Sequence, residues 1–146
     1  IIQADARYAL PSVQVDLAIV HPPYMSIIEY GEDDGLSTDN RAAWRYGMSQ
    51  VLQGIWTALK PGRVAVVIVG VLYSTISKEV VCLDHDIMAL AEGQFRLLGR
   101  VVRPYGETKG GASSGKKNEN MWTYRRLKWG LWSLNQDTIL FLQRQP

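Results

Sequence analysis

The chain has 146 residues, 47% hydrophobic and 10% aromatic, which is enough for one globular domain with a real core. Its longest apolar run, Val64 to Leu72, is too short to cross a bilayer, and no charged leader with an apolar stretch and cleavage site opens it. The net charge of +2 excludes a strongly acidic or basic chain overall, while the single cysteine, Cys82, excludes an internal disulfide and with His21 and His85 forms no recognisable metal-ligand spacing.

A soluble, cytoplasmic, non-membrane protein without a metal is therefore expected. The first residue is Ile1, in what reads as the middle of a strand, so a truncated single domain spanning 1–146 is the expected organisation. The segment Val15 to Val20 reads as a buried strand. It runs into His21, Pro22, Pro23 and Tyr24, where two prolines fix φ, remove two N–H donors and bias the preceding residue toward extended geometry. The strand must stop there. In open α/β sheets the crevice beyond a strand's carboxyl end is where ligands bind, which makes this loop a candidate site; a plain Pro-Pro connection is the alternative.

After an acidic loop containing Gly31 and Gly35, Ser37, Thr38 or Asp39 can cap a helix running from about Asn40 to Leu59. Trp44, Met48, Val51, Leu52, Ile55, Trp56 and Leu59 fall on one face at helical spacing and are read as core, and Lys60 to Gly62 ends the helix. Arg63 to Val71 is continuous and β-branched, as in a strand covered on both faces. Strand, helix, strand implies a parallel crossover. Asp84 or Asp86 can cap a second helix through Ala91, with Gly93 as its stop, and Phe95 to Val102 reads as a third main strand. Cys82 is read as a small core residue. A final strand, Asp137 to Gln143, closes the chain.

Charge is unevenly placed. Arg100 to Lys128 carries eight Lys or Arg against Glu107 and Glu119, a net +6 against −4 for the remainder. Within the Gly, Ser and Lys-rich segment 104–128, expected to be flexible, basic residues alternate with Tyr105, Trp122 and Tyr124, and Trp129 follows. Lys116, Lys117, Arg125, Arg126 and Lys128 are the candidate nucleic-acid contacts, since this mixture suits phosphate binding and base stacking. A solvated basic loop is the competing reading.

In its ordered motifs the chain resembles the amino-group DNA methyltransferases, which methylate N4 of cytosine or N6 of adenine with S-adenosylmethionine. "IIQADAR" is similar to the family's third-strand segment, "VDLAIVHPPY" to its catalytic loop, "LKPGRVAVVIVG" to the following helix end and strand, and "DTILFLQRQ" to its closing strand. The resemblance runs from Ile1 to about Arg103 and resumes at Asp137. It implies a three-layer, partial Rossmann-like methyltransferase sheet of α/β class, mainly parallel with an antiparallel C-terminal strand. It also implies that His21, Pro22, Pro23 and Tyr24 form the catalytic loop, that His21 and the Pro22 carbonyl hold the hydrogens of the target amine, that Pro22 and Asp5 touch the cofactor, and that Tyr24 stacks on an extruded base.

Two departures stand out. His21 replaces the family's shorter Asp, Asn or Ser, and only a neutral imidazole of the right tautomer accepts a hydrogen bond. The family's Gly-rich cofactor loop is absent from this sequence, so the expected activity is incomplete in the chain by itself. The alternatives are a noncatalytic nucleic-acid-binding or assembly module and an RNA-modifying enzyme. The strand that would flank Val15 to Val20 in the family is also missing. That edge is expected to be covered by Ile1 to Ala4 or by a second copy in a homodimer.

Overall fold

The computed structural model describes residues 4–8, 14–25, 36–74, 77–104 and 136–146. Its elements are β1 (Val15–Val20), α1 (Arg41–Ala58), β2 (Leu59–Ser74), β3 (Glu79–Cys82), α2 (Leu83–Ala91), β4 (Phe95–Pro104) and β5 (Gln136–Arg144). The four main strands run in the order β1-β2-β5-β4, with β3 pairing antiparallel to the end of β2. β1 and β2 are parallel, as strand-helix-strand requires, and β5 lies antiparallel between β2 and β4. Three strands therefore point one way, yet only β1 and β2 pair in parallel. The sequence reading anticipated the antiparallel closing strand and lacked β3.

The apolar period of α1 determines which face it buries. Trp44, Met48, Val51, Leu52 and Ile55 are buried and meet Ala65, Val67 and Val69 of β2 and Leu140 and Leu142 of β5 in one core cluster, together with Leu83 and Ile87 of α2. Alternation along β2 sends Val64, Val66 and Ile68 to the other face, where they are only half-buried. The second helical layer of a three-layer arrangement is not among the described residues. Trp56, expected in the core, is half-buried instead and lies under the Arg144 guanidinium at 4.3 Å. It sits at the helix margin, where a cation can cover the ring.

The helix caps differ from the expected ones. Asn40 is the N-cap of α1, its side chain accepting from the N–H groups of Ala42 and Ala43, while the Thr38 hydroxyl accepts from the Asn40 N–H. α2 starts one residue before Asp84, with Cys82 as a cap that makes no side-chain hydrogen bond. Cys82 is half-buried rather than core, and burial pushes its thiol pKa up. Asp84 and Asp86 stand inside the first turn instead, where carboxylates favour the helix dipole. Both are buried. Asp86 accepts from Arg41 in a two-point contact of 2.9 Å each and from Arg45, tying α2 to α1, while Asp84 accepts from Arg100 and, at 3.4 Å, from Thr138. Gly93, with φ +82, ends the α2 turn as expected.

β1 occupies one end of the sheet among the described residues. Leu17 and Ile19 on it are 52% and 66% exposed, so the strand is not covered on both faces. Its start is held by Asp16, which pairs with Lys60 at 2.9 Å and Arg63 at 3.0 Å. Between Val15↔Leu59 and Leu17↔Val64 the register shifts, and the Pro61 and Gly62 turn, Gly62 at φ +77, is accommodated in that bulge.

Candidate active site

Parallel β1 and β2 bring their carboxyl ends to one rim, and antiparallel β5 begins at the same rim. Beyond Val20, His21 is exposed, Pro22 buried, Pro23 and Tyr24 half-buried, and Met25 buried at φ 54. A buried methionine with positive φ is a sparsely populated conformation that surrounding contacts must hold in place. One such contact comes from α1. The indole N–H of fully buried Trp44 donates to the Pro23 carbonyl at 2.8 Å, so that oxygen is committed to the scaffold.

Tyr24 is fixed from the sheet. A Cβ on Gly70 of β2 would stand 2.7 Å from Tyr24 Cε2, so the ring occupies the space that the glycine leaves. Gly70 is the register partner of Asp137 at the start of β5. The Tyr24 hydroxyl reaches across and donates to Asp137 Oδ1 at 2.9 Å. On its other side, His21 Nε2 lies 3.1 Å from Tyr24 Oη, the two rings meeting edge to face with centroids 5.4 Å apart. His21, Pro22, Pro23 and Tyr24 thus form one unit with Gly70 and Asp137.

Sequence reasoning missed both Gly70 and Asp137. The available signals were a glycine near the end of a β-branched run and an aspartate opening the last strand. Neither means anything until the register sets them side by side.

Asp5 stands apart. Its exposed carboxylate takes the Arg7 backbone N–H at 2.9 Å and the Arg7 guanidinium through further contacts, and these hold its pKa below the usual carboxylate range. A groove of about 520 Å³ lined by Arg7, Ser49, Gln50, Gln53, Gly54, Leu90 and Gln94 shares no residue with the His21 to Tyr24 loop. Asp5 is thus committed to Arg7, and Asp5 with the His21 to Tyr24 loop does not by itself make a cradle for S-adenosylmethionine. Lys116, Lys117, Arg125, Arg126 and Lys128, and with them the basic segment, lie outside the described residues. So does the Ile1 end of the segment expected to cover β1. Among the described residues no group of three or more His, Cys, Asp or Glu is placed to hold a metal, and no helix is long and apolar enough to cross a membrane.

No family model matches the sequence, and no curated protein does. Solved structures do match the fold. TTHA0409 of Thermus thermophilus, a candidate DNA modification methylase, aligns with 98% of this chain and 52% of its own at 21% identity and a TM-score of 0.62. The fold is a methyltransferase fold. The same protein in complex with S-adenosyl-L-methionine matches at a TM-score of 0.60, covering 97% of this chain and 53% of that one at 21% identity. The N-methyltransferase NodS of Bradyrhizobium japonicum, in complex with S-adenosyl-L-homocysteine, gives 0.51 at 14% identity, covering 98% of this chain and 52% of its own. The chain spans about half the length of these proteins.

Proposed function

We propose that this chain is the catalytic-loop half of an S-adenosylmethionine-dependent methyltransferase acting on an exocyclic amino group of a DNA base. The observation that carries the reading is the His21 to Tyr24 loop, held at the carboxyl rim of β1 and β2 by Trp44 and Asp137. An exocyclic amine is a weak nucleophile because its lone pair is conjugated with the ring. Acceptors on its hydrogens draw the nitrogen toward tetrahedral geometry. Exposed His21 supplies one acceptor and the Pro22 carbonyl the other, since the Pro23 carbonyl is already bonded to Trp44. On methylation the nitrogen sheds a proton, which a neutral imidazole can take and release to solvent. The methyl donor is held by a segment beyond these residues, as the half-length match to the methylases suggests. The basic stretch with its aromatics is the proposed nucleic-acid contact.

Calorimetry and transfer from radiolabelled S-adenosylmethionine to duplex DNA test this together. The expected results are weak cofactor binding by the chain alone and a slow transfer that His21→Ala abolishes. Tight binding by the chain alone would mean that the Gly-rich loop is dispensable. Transfer that survives His21→Ala would remove His21 from the reaction. The alternative reading, a noncatalytic nucleic-acid-binding module, predicts DNA binding with no transfer under any condition. Competition between DNA and RNA separates the proposed substrate from the RNA alternative.

A further inference from the structure

The geometry points to Asp137 as a positioning residue that, acting through Tyr24, sets the tautomer of His21 so that Nδ1 is left as the hydrogen-bond acceptor. The inference rests on the proposed amine methylation for its purpose, but its geometry stands independently. A tyrosine hydroxyl has one hydrogen to give. An ionised aspartate can only accept, so with Tyr24 Oη 2.9 Å from Asp137 Oδ1 that hydrogen is directed to the carboxylate. Tyr24 Oη then faces His21 Nε2 at 3.1 Å with lone pairs alone, and the contact is a hydrogen bond only if Nε2 carries the proton. A neutral imidazole protonated at Nε2 has a bare Nδ1. Among the described residues that nitrogen has no hydrogen-bond partner, and the ring is exposed.

The direction of the relay is decided by the carboxylate. Were Asp137 protonated and donating, Tyr24 would donate to Nε2 and His21 would carry its proton on Nδ1, unable to accept an amine hydrogen. The relay therefore offers a physical route by which a histidine does the work of the shorter oxygen acceptor found elsewhere in the resembled family. Gly70 is the structural condition for it, because a side chain there would displace the Tyr24 ring that spans the two groups.

Nitrogen-15 long-range correlation spectra of His21, recorded on the neutral ring, read the tautomer without DNA or cofactor. The expected spectrum has protonated Nε2 and bare Nδ1. In Asp137→Ala the two nitrogens should shift toward averaged positions, whereas Asp137→Asn, whose amide oxygen still accepts from Tyr24, should retain the native pattern. Should Asp137→Ala not fold, Tyr24→Phe keeps the ring over Gly70 and makes the same test. Transfer activity should fall roughly 10²-fold in Asp137→Ala and be largely rescued in Asp137→Asn. A proton on Nδ1 in the wild type, or a spectrum unchanged in a folded Asp137→Ala or Tyr24→Phe, overturns the relay. An intact tautomer pattern with no methyl transfer would defeat the functional reading and leave the relay standing.

Discussion

Gly70 illustrates how a single missing methyl group can organise a site. Because its Cβ position lies 2.7 Å from Tyr24 Cε2, Gly70→Ala must push the ring away, and the ring can yield more readily than the backbone. The expected cost is about 1–3 kcal/mol, combining overpacking with the lost hydroxyl contact to Asp137. Urea denaturation measures it, and near-ultraviolet circular dichroism should report the displaced tyrosine. An unchanged midpoint would mean that the pocket has slack. The strand stop at His21 was legible in the sequence, since Pro22 and Pro23 can only end a strand. The loop's partners were not, because Gly70 and Asp137 are ordinary residues until pairing aligns them.

At the level of elements, α2 is fastened by charge. Asp86 is 1% exposed in its side chain, whereas Arg41 and Arg45 remain 46% and 39% exposed. The asymmetry predicts an unequal response to mutation. Removing both arginines leaves a buried carboxylate without compensation, and Arg41→Met with Arg45→Met should cost about 3–5 kcal/mol. Asp86→Asn should cost less, since the arginines can be hydrated. Chemical denaturation of the variants compares them directly; equal losses would contradict the burial argument. A weaker clamp joins β1 to β2. Asp16 has its pKa lowered, first by the Lys60 hydrogen bond, so its contribution is present above the ordinary carboxylate value near 3.9 and is lost as pH falls through the lower folded value. Protection of the Val15 and Leu17 amides against exchange, relative to the intrinsic rate, should therefore fall in acid in the wild type, and Asp16→Asn should flatten that dependence.

For the molecule as a whole, the informative feature is a sheet that ends on β1. Leu17 and Ile19 are exposed and the strand has β2 as its one pairing neighbour among the described residues, a condition that invites pairing with another chain. We expect a second copy to occupy that edge, so the mass measured by light scattering should rise toward a dimer with concentration. Leu17→Lys with Ile19→Lys should return it to monomer, and a wild-type monomer at high concentration would refute the expectation. Binding to duplex DNA should weaken steeply with salt, and neutralising Lys116, Lys117, Arg125, Arg126 and Lys128 together should remove most of that slope. Salt-insensitive binding would assign the basic segment another role.

The sequence by itself determined the order and type of the main elements, because hydrophobic period, prolines and glycines act over a few residues: the α1 stripe, the β-branched β2 run and the stop at His21 are all local signals. Tertiary structure alone decided which strands became neighbours. β5 enters between β2 and β4 only through backbone register, and that register brings Asp137 to Tyr24 across 113 residues of chain. It also decided burial at Asp84, Asp86 and Trp56, where the outcome depends on whether a partner from another element arrives. Local pattern determines what a segment can form; the hydrogen bonds and contacts between distant segments determine what each side chain faces, and the chemistry of the candidate site is of the second kind.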